Sequence, residues 1–78
     1  MLTKIVVITD QAGTKHDIKV REMTVGEIDD KVHDVPLVKG MVTPEEWELI
    51  RPLPASGFAT LVHAVIDLTY GTKASAGN

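Results

Sequence analysis

The chain has 78 residues, of which 44% are hydrophobic and three are aromatic, so we expect one small domain with an aliphatic core. It has no cysteine, which excludes disulfides and thiolate metal sites. The net charge is −3, and residues 22–48 hold eight acidic and two basic side chains, a pattern that disfavours nucleic-acid binding. This acidic segment predicts a solvated face or, alternatively, attraction of a basic partner.

The first predicted elements are two strands that form a β-hairpin. Residues 3–9 are β-branched almost throughout, so both faces of this strand are apolar. One face carries Ile5 and Val7, and the other carries Val6 and Ile8. Such a strand is either covered on both faces, or covered on one face and available to a partner. Residues 15–21 alternate apolar and polar side chains as a half-buried strand does, and Gly13 lies in the turn between the two strands.

A capping box begins the first predicted helix at Thr24. The Thr24 hydroxyl is placed to accept from the N–H of Glu27, and the Glu27 carboxylate from the N–H of Thr24. We expect two or three turns, ended by Pro36 because the residue before a proline is disfavoured in helical backbone. The side chains expected to point inward are Val25, Ile28 and Val32.

Residues 35–42 are apolar but are interrupted by Pro36 and Gly40, and this pattern predicts an ordered loop, with a short strand as the alternative. A hairpin followed by a capped helix also begins the β-grasp fold, which needs at least two later strands. Because residues 35–42 could supply one at most, β-grasp is the alternative fold rather than the preferred one.

A second capped helix is predicted at Thr43. Thr43 is a good N-cap, Pro44 suits the first helical position, and Glu46 completes a capping box. This helix is expected to end before Pro52. Trp47 lies on it and is either a core residue or an exposed anchor for a partner.

The longest predicted helix spans residues 57–70, with Ser56 as its N-cap and Gly71 as its C-terminal cap. Its polar face is expected to carry Thr60, His63 and Asp67. Residues 72–78 are expected to be disordered. The predicted fold is therefore α+β, with an N-terminal β-hairpin packed against two or three short helices, and residues 1–71 form a single domain.

The sequence offers little that resembles a chemical site. His16, His33 and His63 are isolated in sequence, and no spacing typical of metal ligands is present. His63 and Asp67 are four residues apart, so the pair could orient a metal or work as a base, but an exposed helix pair is the simpler interpretation. We therefore expect no enzyme activity, no metal and no cofactor. We also expect no signal peptide and no membrane-spanning segment.

An apolar binding surface is predicted on segment 35–42 and on the closing helix, with Trp47 as a further contact. The candidate protein-binding residues are Leu37, Val38, Met41, Trp47, Phe58, Val62 and Ile66. A monomer of this size rarely exposes a large apolar patch unless the patch binds something, so we expect it to contact a second copy or a helix of another protein. The alternative is that the domain core uses all of these side chains.

Two stretches also have the pattern of a known family. Residues 21–28 read Arg-Glu-Met-Thr-Val-Gly-Glu-Ile, and residues 53–69 begin with Leu-Pro-Ala-Ser and continue through Leu-Val-His-Ala-Val. They resemble the opening and closing helices of small tail assembly chaperones of tailed bacteriophages and prophages. This resemblance implies a non-enzymatic protein of the host cytoplasm that self-associates and coats the tape-measure protein during tail assembly. A regulatory or structural interaction module of another assembly is the alternative.

Overall fold

The computed structural model describes residues 1–71, which form a two-stranded antiparallel hairpin followed by four short helices and a terminal π-helical turn. The strands are β1 (Thr3–Thr9) and β2 (Lys15–Arg21). The helices are α1 (Val25–Asp29), α2 (Asp34–Lys39), α3 (Pro44–Ile50) and α4 (Ala55–Ile66), and the π-helical turn is Asp67–Gly71. The predicted α+β class, with the longest helix nearest the C-terminus, is confirmed. The tail predicted at residues 72–78 lies outside the described residues.

The hairpin turn is held by the side chain of Asp10. One carboxylate oxygen accepts from the backbone N–H of Ala12 and of Thr14, both at 2.9 Å, and the other lies 2.8 Å from Nε2 of His16. The bond to His16 and then that to Thr14 hold the pKa of Asp10 below its ordinary value, because they stabilise the ionised carboxylate. Gly13 takes a φ of +86°, a backbone conformation that other residues rarely adopt, so the turn needs a glycine there.

One face of the hairpin packs on the helices and the other faces solvent. The core contains Val6, Ile8, Ile18, Val20, Leu37, Val38, Ile50, Leu61, Ala64 and Val65. On the opposite face of β1, Ile5 and Val7 are 54% and 55% exposed. The structure therefore decides between the two possibilities for β1, which is covered on one face alone within residues 1–71.

Helix α1 is shorter and more exposed than the sequence predicted. The Thr24 capping box is present, but the helix ends at Asp29, and Lys31 takes a left-handed φ of +56° that reverses the chain. The predicted inward placement of Val25 and Ile28 is wrong, since both are exposed; Val32 does pack against the core. A five-residue helix has too short a face to bury an apolar stripe, and α1 is instead attached to β2 by a salt bridge described below.

The prediction of a loop over residues 35–42 is also wrong, because α2 occupies most of this segment. Pro36 is the third residue of α2, where its missing N–H would have no acceptor within the helix. Gly40 follows as the C-cap, and its N–H donates to the carbonyl of Pro36 at 3.1 Å. Since residues 1–71 contain two strands in total, the β-grasp alternative does not hold for this part of the chain.

In the second half of the fold, the predicted caps are confirmed for α3 but not for the start of α4, and the predicted end near Gly71 is reached through the π-helical turn. Thr43 and Glu46 form the predicted capping box of α3, with Pro44 as its first residue. Helix α4 begins slightly earlier than predicted, because Pro54 rather than Ser56 is its N-cap. The side chains of Thr60, His63 and Asp67 are exposed, which confirms the predicted polar face of α4.

Candidate protein-binding groove

A shallow apolar groove crosses the helical side of the domain, and we call it the helical groove. It is formed by the start of α2, by α3 and by one flank of α4. Its apolar lining consists of Val35, Trp47, Ile50, Leu53, Ala55, Phe58, Ala59 and Val62. Two adjoining depressions of about 370 and 390 Å³ make up the groove, and they share Val35, Ala55 and Phe58. The groove is therefore continuous from α3 to the middle of α4.

Two aromatic side chains fix one end of the groove. The rings of Trp47 and Phe58 meet edge to face, with centroids 6.3 Å apart and an interplanar angle of 82°. The Lys39 ammonium lies 5.7 Å from the centre of the Trp47 ring, within the range of a cation–π contact. Both aromatic rings are half-buried and pack against the core. Trp47 thus packs against the core and also lines the accessible groove. Its role as an anchor for a partner stays a prediction.

The flank of α4 extends the apolar surface beyond the aromatic pair. Phe58, Val62 and Ile66 follow one another at a spacing of four residues and therefore share a helix face. Ile66 is exposed, and Val35 on α2 is 47% exposed at the centre of the groove. A single exposed aliphatic side chain is ordinary on a protein surface. A continuous row of them beside an aromatic pair is a feature of binding surfaces.

The structure separates the seven predicted binding residues into three groups. Trp47, Phe58 and Val62 come together in the helical groove, and Ile66 lies exposed on the same flank of α4. Met41 is half-buried against the core and does not line the groove. Leu37 and Val38 are 2% and 0% exposed, so their assignment to an accessible surface is corrected.

Ala55 and Ala59 line the groove but were not predicted from the sequence as binding residues. Both are small residues on α4, and they keep the groove open beside the larger side chains. Their spacing of four residues, on the same flank as Phe58 and Val62, was the available signal. The groove is bordered by charged and titratable side chains, namely Asp34 of α2, Arg51 at the C-cap of α3 and His63 of α4.

Glu27 has a strongly perturbed pKa but lies outside the groove lining, and its role is structural. The Arg21 guanidinium donates to both of its carboxylate oxygens, at 2.8 and 2.9 Å, and the N–H of Thr24 donates to one of them at 2.8 Å. The bond from Arg21 is the largest cause that lowers the pKa of Glu27 to about 2. This salt bridge joins the end of β2 to α1.

The described part of the chain offers no constellation typical of metal chemistry. Within residues 1–71, no group of three or more His, Asp or Glu side chains could hold a metal ion. Among the helices described, none has the length and apolar character needed to cross a membrane. Comparisons with models of protein families, with curated proteins and with solved structures found no match for this chain.

Proposed function

We propose that this chain is a phage or prophage tail assembly chaperone or adaptor, and that it binds a tape-measure-like client protein in the helical groove. The observation that carries the proposal is the groove itself, in which Trp47, Phe58 and Val62 lie side by side on an accessible surface. The resemblance of residues 21–28 and 53–69 to tail assembly chaperones supplies the class of client. The place of action is then the host cytoplasm.

The shape of the groove favours a helical segment of the client. The row from Phe58 to Ile66 covers nine residues of α4, and the eight steps between its ends span roughly 12 Å at the helical rise. An amphipathic helix presents an apolar stripe of similar length over about two turns and fits a groove between helices. Aromatic side chains that are already fixed by packing lose little conformational entropy when such a helix binds.

Charged and titratable side chains at the border of the groove are a second means of recognising a client. The exposed side chains that border the groove can orient a client helix through charge, with Arg51 at one end and Asp34 and His63 at the other. Arg51 is attached to Glu48 by a 3.3 Å contact on the surface, which is a weak interaction that a client carboxylate could replace.

Co-expression tests the proposal with a matched pair of variants. The chain is produced together with the tape-measure protein encoded beside its own gene, and the soluble fraction of that protein is measured. Val35→Glu places a charge at the centre of the groove, whereas Val25→Glu places the same charge on α1, where the valine is 83% exposed and does not line the groove.

We expect the original chain and Val25→Glu to keep the client soluble and to co-purify with it, and Val35→Glu to lose both effects. Both variants alter exposed valines, so both should fold, and circular dichroism checks this. If no tail tube and tape-measure genes flank the gene, or if Val35→Glu supports the client as well as Val25→Glu does, the proposed function is wrong.

A further inference from the structure

The outer edge of β1 has unused backbone hydrogen-bonding groups. The N–H of Asp10 donates to the carbonyl of Thr14, and the N–H of Glu22 donates to that of Leu2. In an antiparallel pair, hydrogen-bonded and non-hydrogen-bonded residue pairs alternate, so these two bonds show which residues of β1 bond to β2. Even-numbered residues of β1 therefore bond to β2, and the N–H and C=O groups of Ile5 and Val7 point away from it. No other segment of residues 1–71 pairs with this edge.

The two edges of the hairpin differ in charge. The residues whose backbone groups point outward from β2 all have charged side chains, namely Lys15, Asp17, Lys19 and Arg21. Those on the outer edge of β1 are uncharged, namely Thr3, Ile5, Val7 and Thr9. Charged side chains are a common means of preventing strand addition. The edge of β2 has this protection, and the edge of β1 does not.

Helix α4 packs against both strands of the hairpin, and one of its flanks follows β1. Near its start, Gly57 and Thr60 line a groove with Val7 and Thr9, and near its end Asp67 lines a groove with Lys4. The helix is therefore antiparallel to β1 and follows it for most of its length. The second of these grooves is lined by Thr60, His63 and Ala64 of α4 and by Asp67, which follows the helix directly. This flank differs from that of the helical groove except for His63, which borders both.

We propose that two copies of this chain associate through antiparallel pairing of their β1 strands, which gives one four-stranded sheet with order β2-β1-β1-β2. A two-fold axis through Val6 pairs all seven residues of β1, so Ile5 of one copy lies beside Val7 of the other. The four exposed side chains of Ile5 and Val7 then form one apolar cluster on the outer face.

The spacing of strands and helices supports a second copy as the occupant of this edge. The midlines of the two hairpins in such a sheet are two strand spacings apart, or about 9.6 Å. Because α4 packs on the hairpin, the two α4 helices are brought to this same separation, which lies within the roughly 8–10 Å of packed helices. Thr60 and Ala64 are small enough to permit that approach.

Charge complementarity supports the same occupant and the same register. In the proposed pairing, Lys4 lies opposite Ile8 of the second copy, and Asp10 of that copy is the next residue on the same face. A lysine reaches such a diagonal neighbour. The antiparallel helices also place the Thr60 hydroxyl of one copy near the Asp67 carboxylate of the other. The two-fold axis forms each contact twice.

Proline substitution tests the pairing with a control on the opposite edge. Val7 and Asp17 are paired directly across the hairpin, and the N–H of each points away from the other strand. Val7→Pro therefore removes an N–H from the β1 edge, and Asp17→Pro removes one from the β2 edge, without removing a bond of the ladder. Sedimentation equilibrium of the full chain, whose mass is 8.5 kDa, measures the association of each variant.

We expect the original chain and Asp17→Pro to form dimers. Val7→Pro should weaken the dimer by about 25-fold, since two inter-copy hydrogen bonds, each contributing roughly a factor of five, are lost. Hydrogen exchange of the original chain gives a readout that does not depend on variant folding. The amides of Ile5 and Val7 should be protected at high protein concentration, and those of Asp17 and Lys19 should exchange freely.

Several results would overturn the proposal. The first is that the chain stays monomeric at all concentrations tested. The second is that Asp17→Pro weakens the dimer as much as Val7→Pro does. The third is that the amides of Ile5 and Val7 exchange freely in the dimer. Protection of these two amides by an added client protein alone would also contradict it, because the edge would then serve a different occupant. The helical groove lies on another flank of α4, so these outcomes are independent of the proposed client binding.

Discussion

The salt bridge between Arg21 and Glu27 predicts a specific dependence of stability on pH. The pKa of Glu27 falls from 4.5 to about 2 in the folded chain, and the Glu27 side chain is 19% exposed. A shift of this size corresponds to roughly 3–4 kcal/mol at 1.36 kcal/mol per pKa unit, and residual solvent screening reduces it to about 1–3 kcal/mol. Because the folded pKa is lowered, this stability is present above pH 4.5 and is lost as the pH falls towards 2.

Comparison of Glu27→Gln with Glu46→Gln isolates the salt bridge from the helix cap. Both glutamates complete a capping box, and glutamine preserves such a box in each case. Glu27 also binds Arg21 through two hydrogen bonds, whereas no salt bridge to Glu46 is present within residues 1–71. The difference between the two variants therefore reports the ion pair.

Urea denaturation followed by Trp47 fluorescence provides the assay. At pH 7 we expect Glu27→Gln to lower the free energy of unfolding by about 1–3 kcal/mol and Glu46→Gln to lower it by less than about 0.5 kcal/mol. The difference should shrink as the pH is lowered from 4.5 to 2. Equal losses in the two variants, or a difference that does not change with pH, would refute the reasoning.

Five further substitutions at four positions test the backbone and the core, each by urea denaturation at pH 7. Gly13→Ala should destabilise the chain by about 1 kcal/mol because alanine is strained at positive φ, and Gly13→Asn should cost less; equal stability of all three would contradict this. Gly57→Ala should stabilise α4 by about 0.5–1 kcal/mol, since a Cβ there makes ordinary contacts of 3.8–3.9 Å; a loss of stability would show that the site is too tight. Leu37→Ala should cost about 2–5 kcal/mol and the less buried Met41→Ala clearly less; similar costs would mean that Leu37 is not a core residue.

The elements that were predictable from sequence are those fixed by local chemistry. The strands of the hairpin follow from β-branched and alternating side chains on either side of Gly13, and both capping boxes follow from the spacing of threonine and glutamate. Helix α2 was missed because Pro36 was interpreted as the end of the preceding helix, although a proline in the first turn of a new helix is equally compatible with the sequence. The early end of α1 depends on the reversal at Lys31, for which the sequence has no glycine signal.

The candidate site was predictable in its chemistry but not in its boundary. The spacing of Phe58 and Val62 on a helix placed them on one face, and Trp47, the one tryptophan, was the third residue predicted for the binding surface that lines the groove. In the sequence, Leu37 and Val38 are aliphatic residues that cannot be distinguished from those of an exposed apolar surface. Tertiary packing alone decides that both are buried. Periodicity identifies an apolar face, but it does not say how much of that face the rest of the chain covers.

The fluorescence of Trp47 tests the central claim most directly, because it is the one tryptophan in the sequence and it lines the helical groove. The chain is titrated with a synthetic peptide that spans an amphipathic helix of the tape-measure protein encoded beside its gene. We predict a saturable blue shift of the emission for the original chain and for Val25→Glu, and at least about tenfold weaker binding for Val35→Glu. A peptide that binds without changing the emission of Trp47, or that binds Val35→Glu as tightly as Val25→Glu, would contradict the account.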